Sequence, residues 1–427
     1  MNNIVEMIAN YSSPQNNSDF LDTVFGEYLR DVKDGNVPIV LFGVGAVGRV
    51  LCQVLQLHGV QPEYFCDNNQ AEIGRCYHGV PVISFSDLKE RCVKHLILIA
   101  SNKYEIEMRQ QLLEHGFQPD KLIPISHIGK PELLELGHYY RCEDYTKNPK
   151  HSLTLEDLQQ QEDRLAAAYD LLADQKSKDL FIARLSFFTS KIDFFRFSNY
   201  INNFSELNES EREAFPFYVS PEDYGYFNND VVHLKDGEVM VDGGAYNGLS
   251  AATFAKTCEN KNISYKKIYS FEPDAGNFKL LKTNTANLHD VECIQKGLWS
   301  YATILTFLSA SACDPGAVIA SCSDKQLGAN AIKTEIPTIS IDEQFPDEGV
   351  TFIKMDVEGA EMEALDGAKN VIKRCQPTLA ISAYHKHSDI FELPLLIHKL
   401  YPVYKFYLRH YSYTIFDMVL FAVPRAN

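Results

Sequence analysis

The stretch Glu238-Val239-Met240-Val241-Asp242-Gly243-Gly244-Ala245-Tyr246-Asn247-Gly248 decides the fold. A short strand, Glu238–Val241, runs straight into a loop of the pattern Asp-x-Gly-x-x-x-Gly. Glycines at a strand end let the backbone turn tightly and come close to a ligand. Downstream, strands are expected at Ile268–Phe271, Val291–Gln295, Thr351–Met355, Thr378–Ser382, Tyr404–Leu408 and Phe416–Val423. Helices separate most of them, which is the signature of a parallel, doubly wound sheet. The last two leave no room for a crossover helix and must pair as an antiparallel hairpin.

A second glycine loop lies upstream. Val37–Phe42 is a continuous apolar run, followed by Gly43-Val44-Gly45-Ala46-Val47-Gly48 and then by Val47, Val50, Leu51, Val54 and Leu55 at helical spacing. Strand, G-x-G-x-x-G and helix in that order form the dinucleotide fingerprint, with a helix N-terminus placed to favour a pyrophosphate. Strands at Tyr64–Cys66, Val80–Ile83, His95–Ala100 and Leu122–Ile125 alternate with helices at Ser86–Cys92 and Glu105–His115. Asp67 follows the second strand, 19 residues after Gly48, where a carboxylate can bond ribose hydroxyls. Gly43, Gly45, Gly48 and Asp67 are therefore candidates for a nucleotide site. Three readings stay open: a nucleotide or nucleotide-sugar, a purely packing role for the glycines, and NAD.

The rest of the chain fits around these two units. The 427 residues suggest two or three domains at roughly 100–200 residues each. The expected division is 1–35 an extension with a short helix at Phe20–Val32, 36–130 the first Rossmann-like domain, 131–235 a helical linker, and 236–427 the second. Leu155–Leu172 reads as one helix, with Leu158, Leu165, Ala168 and Leu172 in register. Between residues 187 and 227 there are 13 aromatics in 41 positions, either core glue or a stacking surface for sugar rings.

Composition narrows the function classes. Forty basic against 57 acidic residues give a net charge of −17, which disfavours nucleic acid and polyanionic acceptors. The apolar runs fall short of the ~20 residues of a membrane span. The first residues lack a secretory pattern, and the 10 cysteines show no C-x-x-C pair, so a cytoplasmic location is expected.

The second loop has a partner carboxylate in Glu272, 24 residues beyond Gly248, within Phe271-Glu272-Pro273-Asp274. It lacks the spacing suited to a pyrophosphate, which favours S-adenosylmethionine over NAD. Together with Asn277, Asn284 and Thr338-Ile339-Ser340-Ile341-Asp342, these residues resemble the FkbM-type methyltransferases, a branch of the class I S-adenosylmethionine-dependent enzymes. The most specific block is Phe352-Ile353-Lys354-Met355-Asp356-Val357-Glu358-Gly359-Ala360-Glu361, followed by Ala364-Leu365-Asp366-Gly367-Ala368. The resemblance covers residues 226–424, and Tyr246-Asn247 depart from the asparagine-rich loop common in the family. Over residues 37–126 the chain also resembles the nucleotide-sugar-binding domain of certain bacterial sugar acetyltransferases, through Val40–Ser84 and His78-Gly79-Val80-Pro81-Val82.

Strand-end logic then assigns a site. Asp242, Gly243, Gly244, Ala245, Tyr246, Asn247, Gly248, Glu272, Pro273 and Asp274 are expected to hold the cofactor. Asp356, His385 and Glu361 are left for the acceptor, with Asp356 and His385 the candidate general bases. Glu361 shares a helical face with Leu365 and Ala368 and so points to the rim, although Glu358 and Glu361 also suit a helix N-terminus electrostatically. His385-Lys386-His387 with Asp356 and Glu361 offers a divalent ion some ligands, but the spacing is unspecific and no metal is assigned. The family resemblance implies O-methylation of a sugar, glycan or related natural-product hydroxyl, with a nucleotide-linked sugar at the first domain. The competing classes are a non-catalytic nucleotide-binding regulator and an NAD-dependent sugar oxidoreductase.

Overall fold

The computed structural model describes residues 3–11, 32, 37–57, 59–101, 104–124, 153–189, 225–309, 318–319, 332–411 and 417–425. The first sheet contains β1 (Ile39–Phe42), β2 (Tyr64–Cys66), β3 (Cys76–Tyr77), β4 (Val80–Ile83), β5 (Leu96–Ile99) and β6 (Leu122–Pro124). Their order is β3-β4-β2-β1-β5-β6, all parallel except the β3–β4 pair. Alternate residues of β1 and β5 face opposite sides. Ile39, Leu41, Leu96 and Leu98 meet Val50, Leu51 and Leu55 of the helix Ala46–Leu57. Val40, Phe42, Ile97 and Ile99 meet Met108 and Leu112 of the helix Glu105–Glu114.

The second large sheet contains β7 (Glu238–Gly243), β8 (Tyr265–Phe271) and β9 (Val291–Ile294). After an insertion, the chain continues with β14 (Phe352–Met355), β15 (Thr378–Ser382), β16 (Tyr404–His410) and β17 (Met418–Pro424). The order is β16-β17-β15-β14-β7-β8-β9, parallel through β15 and closed by the antiparallel β16–β17 hairpin. Val241, Ile353 and Ile381 pack on Leu365, Ala368, Ile372 and Ile397. Met240, Phe352 and Ala380 pack on Ala251, Phe254 and Cys258 from the other side. The fold is thus α/β and doubly wound in both halves, with the expected hairpin in place.

Several elements depart from the sequence reading. Leu155–Leu172 is two helices, Leu155–Gln159, which a capping box between Thr154 and Asp157 starts, and Glu162–Leu171. The helices Ile4–Ala9 and Gln175–Thr189 were not anticipated; the latter is buried on nearly all sides, so no amphipathic stripe marks it. An added small sheet joins β10 (Gly297–Leu298), β11 (Ile304–Ser309), β12 (Val318–Ile319) and β13 (Ile332–Ile339) in the order β10-β13-β11-β12. Apart from Val32, the expected helix at Phe20–Val32 lies outside the described residues. Most of the 187–227 aromatics do so as well, while Phe187, Phe188, Tyr226 and Phe227 are buried and act as core.

The linker helices cover the hairpin edge. Ala173 donates its amide to the Phe406 carbonyl at 2.8 Å. Arg409 on β16 is buried, and its guanidinium reaches Asp174 and Asp230 at 2.7 Å each. Ser177 takes a further bond from the same guanidinium. A buried arginine needs this many acceptors to offset its desolvation. Among the described residues, no helix is long and apolar enough to cross a membrane.

Candidate active site at the switch point

The chain leaves β7 toward β8 on one side and returns to β14 on the other, so the ends of β7 and β14 meet at the topological switch point. Gly243 pairs with Met355 and Asp242 with Lys354 in register. The Asp356 amide donates to the Gly243 carbonyl at 3.0 Å. Gly244 lies with φ of 71°, and a Cβ there would sit 1.8 Å from the Asp356 carbonyl oxygen. Both conditions exclude any side chain, so this glycine is fixed by backbone crowding.

The loop is pinned from beneath by a charge pair that sequence reading missed. Lys354 and Asp242 are fully buried, with Nζ 3.2 Å from Oδ1. Lys354 also donates to the Gly244 carbonyl at 2.8 Å, and Ser250 donates to Asp242 Oδ2 at 2.6 Å. The signal was present: a lone lysine inside the apolar strand Phe352–Met355 demands a buried anion. Asp242 therefore sits under the loop, braced by its own neighbours.

Glu272 closes the loop from the side. It is only 5% exposed, and its two oxygens accept the amides of Tyr246 at 2.9 Å and Asp274 at 2.8 Å. Burial pushes the Glu272 carboxyl up to about 7, against these two amides and Lys354, which favour the anion. The remaining loop residues are largely structural in their visible contacts. Ala245 is buried and donates to Phe271 O at 2.9 Å. Asn247 takes the Leu249 amide at 3.1 Å, while its carbonyl accepts from Asn284 at 2.8 Å. Tyr246 adopts a left-handed φ of 46°, and Gly248 starts the helix Leu249–Asn260 at φ 88°. Asp274 caps the next helix through the Asn277 amide at 2.8 Å, and Pro273 is half-buried between them.

The donor set fits S-adenosylmethionine. A ribose diol and a cationic amino acid head require carboxylate acceptors, and a carboxylate has about four lone-pair directions. Each Glu272 oxygen spends only one of these on an amide. Asp356 and Glu358 add partly open carboxylates across the loop, at 16% and 26% side-chain exposure.

The acceptor candidates converge as strand-end logic required. His385 follows β15, and its Nδ1 lies 3.0 Å from Glu361 Oε1. Its Nε2 lies 3.5 Å from Asp356 Oδ1 and 3.7 Å from Glu358 Oε2. Glu361 is buried at the start of the helix Glu361–Asp366 and accepts the Val357 amide at 3.0 Å. Tyr384 donates to Asp356 Oδ1 at 3.1 Å. Burial would lower the His385 pKa, but the Glu361 charge, with Glu358 and Asp356, raises it to about 10. Burial and then the Glu361 charge raise the neighbouring Asp389, a residue the sequence reading did not single out. With no ion bound, this arrangement favours the protonated imidazole.

Two quoted motif segments turn out to hold each other. Asp342 accepts the amides of Asn370 and Val371, at 3.0 and 2.8 Å, and so caps the helix Lys369–Cys375. Gly367 lies where a Cβ would meet the Trp299 carbonyl at 2.2 Å.

At the upstream loop, Gly48 packs so closely that a Cβ would lie 1.9 Å from the Gly43 carbonyl. Gly45 has no atom within 4 Å of its Cβ direction. Asp67 accepts the Val44 amide at 2.8 Å through Oδ2 and the Asn69 amide at 2.8 Å through Oδ1. Asp67 at the end of β2 is thus joined to the glycine loop that follows β1.

This architecture, with a braced glycine loop and an acidic rim at the switch point, is that of a class I methyltransferase. Residues 242–413 match the model of the methyltransferase FkbM domain, and the chain carries that domain. S-adenosylmethionine is its cofactor. A methyltransferase FkbM from Methylobacillus flagellatus KT is similar in fold over 98% of this chain and 97% of its own, with TM-score 0.53 and 20% identity. A putative methyltransferase from Streptococcus mutans in complex with SAH matches at TM-score 0.27 and 12% identity, over 44% of this chain and 90% of that one. Fibrillarin from Aeropyrum pernix with natively bound S-adenosyl-L-methionine matches at 0.26 and 10%, over 44% and 67%. Comparison with curated proteins returns no match.

Proposed function

We propose that this methyltransferase acts on a hydroxyl of a sugar, glycan or related natural product, in the cytoplasm. The observation that carries the site assignment is the convergence of Asp356, Glu361 and His385 beyond the ends of β14 and β15. When bound, the cofactor would supply an electrophilic methyl group to the acceptor oxygen, whose proton a side chain of the rim would take up. The chain's part is chiefly alignment. The Lys354–Asp242 pair and Glu272 hold the loop rigid, and the rim residues orient the acceptor oxygen, which supplies much of the rate. Asp356, oriented by the Tyr384 hydroxyl at 3.1 Å, is the carboxylate we assign to receive the proton. The cofactor role falls to residues 242–248 and 272–274, where Asp242 acts by shaping the loop from below and Glu272 through its free lone pairs.

The acidic composition supports a neutral or modestly charged acceptor. The open face at Gly45 supports a nucleotide-linked sugar bound at residues 43–48 and Asp67. The test is a methyl-transfer assay with labelled cofactor against a panel of free and nucleotide-linked sugars. The expected outcome is a methyl ether on one of them, with turnover reduced about 100-fold or more in His385→Ala while cofactor affinity is retained. Methylation confined to nitrogen or carbon acceptors, or an unaltered rate in that variant, would overturn the reading.

A further inference from the structure

The cluster around His385 carries more acidity than its single imidazole balances. Three carboxylates, from Asp356, Glu358 and Glu361, surround the ring at 3.0 to 3.7 Å. The His385 side chain is 10% exposed, yet neither ring nitrogen makes a well-directed hydrogen bond. Glu361 is 1% exposed, and its second oxygen, Oε2, also lacks a hydrogen-bond partner among the described residues. Buried polar atoms are normally satisfied, and several left so at one point indicate a missing occupant.

The spacing suits a cation. One ligand atom each from Asp356, Glu361 and His385 lies within 4.8 Å of the other two. An octahedral ion with bonds near 2.1 Å sets its ligand atoms roughly 3 to 4 Å apart, so the cluster closes on an ion with small side-chain adjustments. The residues are well supported. Glu361 Oε1 is held by the Val357 and Gly359 amides at 3.0 and 3.4 Å, and Asp356 by the Tyr384 hydroxyl. Such outer bonds are what orient metal ligands. The His387 ring packs at a tilt against Phe188, with centroids 4.4 Å apart.

We propose that Asp356, Glu361 and His385, with Glu358 at the open side, form a divalent-cation site. Carboxylate ligands favour hard ions and imidazole favours the first transition row, so Mn²⁺ is the best match. The ion would sit at the rim beyond β14 and β15, and its coordination positions facing solvent would take a hydroxyl, or a pair of adjacent hydroxyls, of a sugar. That catalytic consequence rests on the reading above; the binding of the ion does not.

The test uses the full chain, stripped with EDTA and titrated with MnCl₂. Binding is followed by loss of the free-ion electron paramagnetic resonance signal and by calorimetry. One Mn²⁺ per chain is expected, weakened at least tenfold in Glu361→Gln and in His385→Gln. Should those buried substitutions unfold the domain, the partly exposed Glu358→Gln provides the second variant, with an expected several-fold loss. Absence of binding at 1 mM to the folded protein, or binding unchanged in all three variants, would overturn the site. Sugar methylation that persists in EDTA without bound ion would remove the metal and leave the proposed function standing. A bound ion with no methylation of any hydroxyl would do the reverse.

Discussion

The two glycine loops are built on one plan and stabilised differently. Each follows an interior strand with parallel neighbours on both sides, and each has a carboxylate at the end of the neighbouring strand accepting one loop amide. Asp67 takes Val44 at 2.8 Å and Glu272 takes Tyr246 at 2.9 Å. The downstream loop is also braced by Lys354 and Asp242 below it and crossed by the Asp356 backbone above. The adjacent strand in the upstream sheet is Leu96-Ile97-Leu98-Ile99, with no charge to offer. A buried ion pair contributes little net stability, but it fixes one geometry, because breaking it leaves an uncompensated charge. The loop assigned to a reaction carries this device, and the loop assigned to binding alone does without it.

The comparison can be broken most directly at the glycines. Gly244→Ala should cost at least ~4 kcal/mol or abolish folding of the domain, since a backbone carbonyl occupies the space. Gly45→Ala should leave denaturation within about 1 kcal/mol of the parent. Calorimetry with cofactor and urea melts read both, and equal effects would dissolve the distinction.

Next in size is the brace itself. Lys354→Met leaves Asp242 buried and unpaired, at an expected cost of about 3–5 kcal/mol. Adding Asp242→Asn should restore a large part of this in the same urea experiment. A fully additive double variant would mean that the pair does not act as a unit.

Glu272 gives a pH signature. Its carboxyl rises from an ordinary 4.5 to about 7 on folding, so the folded state holds a proton that the unfolded state releases. Stability from this group therefore falls as pH rises from 4.5 to 7, by about 3 kcal/mol, and stays lower above that. Glu272→Gln should remove that slope in melts between pH 4 and 8 while weakening cofactor binding. The smallest effect is expected for Asp67→Asn, which alters the acceptor of the Val44 amide and should cost ~1 kcal/mol.

Much of this was legible in the chain. Val80–Ile83 and Thr378–Ser382 appear as read, because a buried parallel strand must be an apolar run between turn residues. The hairpin followed from the short connection alone. The small sheet β10–β13 was hidden, since β13 is largely exposed and no buried apolar run marks it. The helix Gln175–Thr189 was hidden by burial all round.

The sequence by itself determined the alternation of elements, the two loops and the identity of the rim residues, because periodicity and glycine placement are local properties. Only the tertiary structure decided what each carboxylate faces. Register brings Lys354 beside Asp242, and the ends of β14 and β15 bring three acids around His385. Charge pairing across strands depends on distances that no single stretch of chain contains.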